Sequence, residues 1–254
     1  MVLIGGRILF GIFFTFLFCK KQGKLRVLMY HKVETRQQDF LTVTPGQLEE
    51  HLNYLQKEGF TFVSIAQYFS HRVLPKKAVL LTFDDAYLST LGNAYPLLKQ
   101  YDARATVFVP TAYAGKTSLW DIKSEPILSA EQLRNLDSTV FELGLHSHTH
   151  RHYGTVSNEF IQEDLQKNIQ FFEDNHLLYS SAFAYPYGGR PKKRADRIKM
   201  QRILSRYGIK YAFRIGNGIN RWPLSRPFEI QRIDIRGTDS LEEFTHKIKY
   251  PNKV

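Results

Sequence analysis

Ala78-Val79-Leu80-Leu81-Thr82-Phe83-Asp84-Asp85 is the stretch from which the fold can be read. A short continuous apolar run suits a strand buried on both faces, and this one ends in two adjacent carboxylates. Neighbouring carboxylates repel unless a cation or an unequal division of roles stabilises them. The plainer reading is an Asp-rich strand-to-helix turn with Asp85 near a helix N-terminus.

On either side of this strand the chain alternates between strand-like and helix-like segments. Arg26 to Tyr30 reads as a first buried strand ending at His31. Thr44-Pro45-Gly46-Gln47 opens a helix, with Thr44 as N-cap, Pro45 in the first turn and Gln47 completing a capping box. Leu48, Leu52 and Leu55 form its apolar stripe. Further strands are expected at Phe60–Val63, Ala105–Val109, Val140–Leu145, Ala182–Tyr185, Tyr211–Ile215 and Glu229–Asp234. Helices are expected over about Ser89–Gln100, from Ser129 with Gln132 as its cap, over Asn158–Asn175, and through a basic stretch before Tyr211. Such alternation favours an α/β fold with a parallel sheet, and about seven strands in one domain favour a closed or nearly closed (β/α) barrel. Chemistry in such barrels gathers at the C-terminal ends of the strands. His31, Asp84-Asp85, His146 to His150 and Tyr187-Gly188 all follow expected strands at that end.

The segment His146-Ser147-His148-Thr149-His150-Arg151-His152 holds four of the nine histidines. Imidazoles and a carboxylate are the ligands of a catalytic zinc, typically three from protein with one position left open. An extended segment would put residues 146, 148 and 150 on one face, whereas a turn would bring 146 and 150 together. A second carboxylate beside the ligand could deprotonate water.

These segments resemble the polysaccharide deacetylases of the NodB-homology group, carbohydrate esterase family 4. Thr82-Phe83-Asp84-Asp85 is similar to the family's first motif, and Phe141-Glu142-Leu143-Gly144-Leu145-His146-Ser147-His148-Thr149-His150 to its second. The resemblance implies a distorted NodB-type barrel of about seven parallel strands, with Asp84 as base and Asp85, His146 and His150 as metal ligands; a register using His148 and His152 is the alternative. Phe183-Ala184-Tyr185-Pro186-Tyr187-Gly188 is similar to the third motif. That similarity implies an oxyanion contact from the Tyr187 backbone N–H and a groove shaped by Tyr185, Pro186 and Tyr187. Many relatives carry an arginine where this chain has Ala184, and that arginine steadies the catalytic Asp. The usual late apolar-x-His motif is absent, Phe244-Thr245-His246 being a poor substitute. Leu28-Met29-Tyr30-His31-Lys32-Val33 and Thr42-Val43-Thr44-Pro45-Gly46-Gln47-Leu48 resemble the poly-β-1,6-N-acetylglucosamine deacetylase branch, which places the histidine early and makes His31 the general acid.

What the resemblance implies is a hydrolase acting on a linear amide C–N bond: N-deacetylation of N-acetylglucosamine units in an envelope or biofilm polysaccharide. A divalent cation, Zn2+ or alternatively Co2+, Ni2+ or Fe2+, is the implied cofactor. Tyr30, Tyr185, Tyr187 and Trp120 could stack on sugar rings or pack the barrel. The alternatives are a catalytically weak glycan-binding protein on the same fold, and a deacylase of a small or lipid-linked amide.

The remainder of the chain adds less. At 254 residues it suits one large domain, residues 25–254, and its single cysteine excludes an internal disulfide framework and a multi-cysteine metal site. Net charge is +11, with Lys192, Lys193, Arg194, Arg197, Lys199, Arg202 and Arg206 crowded in one stretch. That stretch is either a surface for an anionic partner or a solvated helix face; no nucleic-acid module accompanies it. Residues 1–24 read as a signal peptide, lipoprotein signal or membrane anchor. The apolar run Ile8–Phe18 follows Arg7 and is short of the roughly 20 residues needed to span a bilayer. Cys19 invites lipidation, although Phe18 stands where such sites carry a small residue. Export, with attachment to the membrane or envelope, is the expectation.

Overall fold

The structure is a computed structural model that describes residues 23–36, 39–70 and 74–251. The signal or anchor expected over residues 1–24 therefore lies, as far as residue 22 and including Cys19, outside the described residues. Among the described residues eleven strands occur in chain order: β1 Lys24–Tyr30, β2 Lys32–Val33, β3 Thr42–Val43, β4 Thr61–Phe62, β5 Ala78–Phe83, β6 Ala105–Val109, β7 Phe141–Leu145, β8 Ala182–Ala184, β9 Tyr211–Ile215, β10 Asn220–Arg221 and β11 Ile230–Asp234. The helices are α1 Pro45–Lys57, α2 Ile65–Ser70, α3 Tyr95–Gln100, α4 Ala130–Arg134, α5 Asn158–Asp174, α6 Arg194–Arg206 and α7 Leu241–Lys249.

Seven parallel strands close a ring in the order β1-β11-β9-β8-β7-β6-β5, with β5 returning to β1. The expected distorted (β/α) barrel is present. Its distortion is visible in the registers. β1 pairs with β5 over six residues, Leu25–Tyr30 against Ala78–Phe83, but with β11 only at Leu28 and Met29. β7 meets β8 at a single pair, Leu145 with Phe183. On the far edge of β5, β4 takes the N-terminal half and β6 the C-terminal half. The Phe60–Val63 segment is thus a short wedge outside the ring.

Alternation along the strands sorts side chains into two cores. Leu25, Val27, Ala78, Leu80, Phe108 and Phe213 belong to the smaller one, inside the barrel. Residues of opposite parity, such as Leu28, Val79, Leu81 and Val107, join the larger core beneath the helices. Gly144 makes the interior packing possible: a Cβ there would lie 2.5 Å from the Phe108 ring.

The helices begin as their caps dictate. Thr44 with Gln47 and Ser129 with Gln132 form reciprocal capping boxes. The single helix expected over Ser89–Gln100 is instead a π-turn, Thr90–Ala94, followed by α3. Pro96 has no N–H to donate one turn back, and a widened turn relieves the misfit.

Candidate functional site

Interior parity decides what gathers at the mouth of the barrel. On β5, Ala78, Leu80 and Thr82 point inward, so Asp84 does too. The same count places His31 beyond β1, His146 beyond β7 and Arg232 on β11 at the C-terminal end of the ring. The backbone ties two of them closely, since the Asp84 N–H donates to the Tyr30 carbonyl at 2.9 Å.

Asp84 and Arg232 are both buried and form a two-pronged pair: Nη1 to Oδ1 at 2.5 Å and Nη2 to Oδ2 at 2.7 Å. Thr82, whose hydroxyl donates to the Leu28 carbonyl at 2.8 Å, lies below the same guanidinium. Phe108 covers its face at 5.7 Å. Burial alone would raise the Asp84 carboxyl; Arg232, then His146 and His31, outweigh it and hold the group below its usual range.

Beside this pair, Asp85, His146 and His150 bring one ligand atom each to within 4.8 Å of one another. Asp85 Oδ1 lies 3.0 Å from His150 Nε2 and 3.4 Å from His146 Nε2. His146 directs Nδ1 to the Ala184 carbonyl at 2.8 Å, which leaves Nε2 free as a ligand. The histidine segment is a turn rather than an extended strand: the His150 N–H donates to Ser147 Oγ at 2.8 Å, bringing residues 146 and 150 together. Of the eight non-glycine residues at positive φ among the described residues, five lie here: Asp85, Ala86, Ser147, His150 and Tyr187. Each costs of order 1–3 kcal/mol, and such strain concentrates at functional sites. Asp85 at φ 69° is thereby turned away from the strand's alternation toward the two imidazoles.

The donor set fits a divalent cation. Asp85 Oδ1 and His150 Nδ1 are buried without a hydrogen-bond partner, and a buried carboxylate oxygen facing two imidazole nitrogens calls for positive charge between them. Against burial, His150 and His146 hold Asp85 well below the usual carboxylate range. Asp84 and Asp85 in turn push His146 upward despite its burial.

A polar scaffold that the sequence did not advertise supports the turn. Asp164 of α5 accepts from the His148 and Thr149 N–H groups, both at 2.9 Å, and from the Tyr153 hydroxyl at 2.7 Å. His148 turns to Thr111 Oγ1, 2.9 Å away, and His152 Nδ1 accepts from the Gly154 N–H at 3.1 Å. The register using His148 and His152 is therefore not the one that converges. A second network fixes the aromatic wall. Lys32, 1% exposed, lies between Asp39 at 2.5 Å and Asp121 at 3.4 Å. Asp121 accepts from Tyr87 at 2.6 Å, and Tyr87 accepts from the Trp120 N–H at 3.0 Å. Trp120 then packs 3.9 Å from the His150 ring.

The third motif divides. Tyr187 is 55% exposed with its ring 4.7 Å from His150. The turn's own hydrogen bonds run from Gly188 to Tyr185 and from Gly189 to Pro186, and neither uses the Tyr187 N–H. Tyr185, expected to shape a substrate groove, is instead fully buried, its hydroxyl donating to the Phe228 carbonyl at 3.2 Å. Pro186 is buried as well and shapes the turn only. Tyr30 is likewise removed from any sugar, 0% exposed with its hydroxyl 3.2 Å from His51. His31 is part-buried at the mouth, its Nδ1 without a partner. His246 lies on α7, exposed against Tyr250 and outside the converging cluster.

Comparison with known proteins agrees with this geometry. A poly-beta-1,6-N-acetyl-D-glucosamine N-deacetylase of Staphylococcus aureus (strain MRSA252) is 25% identical over 257 residues, covering 90% of this chain and 83% of that protein. The protein of the same name from Staphylococcus epidermidis is 26% identical over 216 residues, 73% of this chain and 70% of its own length. Among solved structures, IcaB from Ammonifex degensii superposes with a TM-score of 0.75 at 23% identity, covering 89% of this chain and 97% of that one. The Streptococcus pyogenes deacetylase PplD, solved with acetate, gives 0.71 at 24% identity over 89% and 98%. At these identities the two structures speak for the fold. The sequence pattern of the polysaccharide deacetylase family matches residues 71–212, more than half of the chain and the span from β5 to β9 that delivers Asp84, Asp85, His146, His150 and Tyr187. The chain belongs to the polysaccharide deacetylase family.

Proposed function

We propose that this protein is a metal-dependent hydrolase that removes acetyl groups from N-acetylglucosamine units of an envelope or biofilm polysaccharide, with β-1,6-linked polymers as the preferred class. The observation that carries the reading is the adjacency of two differently held carboxylates: Asp84 gripped by Arg232, and Asp85 facing His146 and His150. The curated relatives named for the β-1,6 polymer support the choice of linkage.

Asp85, His146 and His150 would hold the cation, with Zn2+ the first choice for two imidazoles and a carboxylate. When bound, it supplies Lewis acidity toward the acetamide carbonyl and acidifies water at the site. Asp84, kept ionised by Arg232, accepts the proton of the attacking water. As the new C–O bond forms, the Tyr187 N–H donates to the developing oxyanion. His31 delivers a proton to the departing nitrogen as the C–N bond breaks, leaving acetate and a free amine. Trp120 and Tyr187, flanking His150, form the walls against which a sugar ring rests.

Residues 1–24 direct export and hold the domain at the membrane or envelope, an assignment supported by the apolar run before Cys19. Fractionation of cells that express the full chain and a Cys19→Ala variant checks it; soluble cytoplasmic protein in both cases would refute it.

The test of activity is acetate release by the metal-loaded chain from β-1,6- and β-1,4-linked N-acetylglucosamine oligomers side by side. Release from the β-1,6 series, abolished by chelation, is expected. Release only from β-1,4 oligomers would discard the linkage and keep the reaction. Silence on both, with metal bound and the fold intact, would leave a glycan-binding protein or another amide as substrate.

A further inference from the structure

On the outer face of the barrel, just past the turn that carries Tyr187, five arginines line one cleft and three of them converge on its single carboxylate. Arg190, Arg194, Arg197, Arg214 and Arg226 line a cleft of about 740 Å3 with Glu229 among them. Glu229 is saturated: it takes Arg190 at 2.7 Å, Arg214 at 3.3 Å, Arg197 at 3.5 Å and the Gln201 amide at 3.1 Å. Arg194 and Arg226 have no ion-pair partner among the described residues, and the nearby acid of α6, Asp196, pairs with Lys199 at 3.7 Å.

Five guanidinium charges against one carboxylate are an arrangement that folding alone does not favour. Burial, then the charge of Arg190, depresses the Arg214 guanidinium against the opposing pull of Glu229, with Arg197 and Arg226 adding to the depression. Its Nε lies 3.3 Å from the Glu229 carboxylate but outside hydrogen-bonding geometry. Like charges held this close are relieved by an anion entering between them. The planar fork of a guanidinium matches oxyanions two bonds at a time. A multiply charged tetrahedral group satisfies more of these forks than a second carboxylate would. α6 also begins at the rim of the cleft, its first turn uncapped by any side chain, so its N–H groups favour the same sign of ligand.

We infer that this cleft is a binding site for a phosphoryl group, carried as free phosphate or within a phosphodiester. Arg190 stands three positions beyond Tyr187, so a phosphodiester seated here lies alongside the catalytic turn without occupying it.

The test is calorimetric titration of the full chain, stripped of metal so that no cation captures the anion. Inorganic phosphate and glycerophosphoglycerol serve as probes, with chloride at matched ionic strength as control. At least one probe binds at millimolar concentration or tighter, and Arg194→Glu/Arg226→Glu weakens it about tenfold or more. Preference for inorganic phosphate assigns a free anion as the source, and preference for the diester assigns a lipid headgroup or polymer. Absence of binding beyond the chloride control, or equal binding by the double variant, overturns the inference. Both substituted positions are exposed; should the double variant unfold, Arg226→Gln carries the same comparison with a smaller loss expected.

Discussion

Arg232 reaches from β11 to grip both oxygens of Asp84, a residue 148 positions earlier in the chain. Ala184, where many relatives carry the arginine that steadies this aspartate, gives its carbonyl to His146 instead. The guanidinium has been supplied from another strand of the same ring. An unreplaced loss of that arginine at position 184 would favour a catalytically weak protein, and Arg232 removes that argument.

Replacing Arg232 with Ala should therefore leave Asp84 a buried, uncompensated charge. Breaking such a pair costs about 3–5 kcal/mol of stability, and turnover should fall with it. Adding Ala184→Arg to that variant restores a guanidinium at the position used by relatives, and part of the lost turnover should return. Turnover, metal content and Tm measured on wild type, single and double variants check this. A single variant as active as wild type would refute the role given to Arg232.

The two carboxylates should separate cleanly under mutation. Asp84→Asn should lower turnover by orders of magnitude while metal content stays near normal, because both Asp84 oxygens are engaged by Arg232 and it stands farther from His146 Nε2, at 3.9 Å, than Asp85 does at 3.4 Å. Asp85→Asn should lose metal first and activity as a consequence. Metal analysis beside acetate release distinguishes the two, and loss of metal from Asp84→Asn would contradict the division.

Much of this site is legible in the sequence itself. Apolar runs that end in polar clusters, 78–85 and 141–150, declare both the buried strands and the chemistry at their ends. Arg232 was not legible, because Ile230-Gln231-Arg232-Ile233-Asp234 looks like any strand with one polar face. Only the register with β9, Arg232 opposite Ile215, turns that arginine into the barrel. Asp164 was hidden for a similar reason: on an amphipathic helix a lone acid reads as solvated, and its four bonds to the histidine turn exist only once α5 docks. Tyr185 departs in the opposite direction: Tyr187 of the same motif reaches the surface, whereas Tyr185 shares the parity of Phe183 and is buried with it in the larger core.

Metal should stabilise the fold and displace protons in doing so. Ligand imidazoles must be neutral, whereas Asp84 and Asp85 push His146 toward protonation. Metal affinity should accordingly weaken as pH falls, starting above the usual imidazole range. At neutral pH, metal a thousandfold over its Kd adds about 4 kcal/mol, seen as a rise in Tm that His150→Ala abolishes. Thermal melts with and without Zn2+ across pH 5.5–8 measure both effects; a Tm rise that survives in His150→Ala would place the metal elsewhere.

Acid sensitivity should also arise far from the site, at His51. This imidazole is buried between α1 and α7, stacked 3.8 Å from Phe244 and 3.2 Å from the Tyr30 hydroxyl. Burial, assisted by Lys247, pushes it down to about 3. The unfolded chain takes up the proton near pH 6.5 and the folded chain does not. Stability linked to His51 is therefore full above about pH 6.5 and is lost progressively as pH falls toward 3, at up to ~1.4 kcal/mol per pH unit. His51→Gln cannot titrate, so its denaturation midpoint should vary less between pH 6.5 and 4.5 than that of wild type, even if the variant starts lower. Urea melts over that interval decide the matter, and parallel pH profiles for the two proteins would show that His51 is not the group responsible.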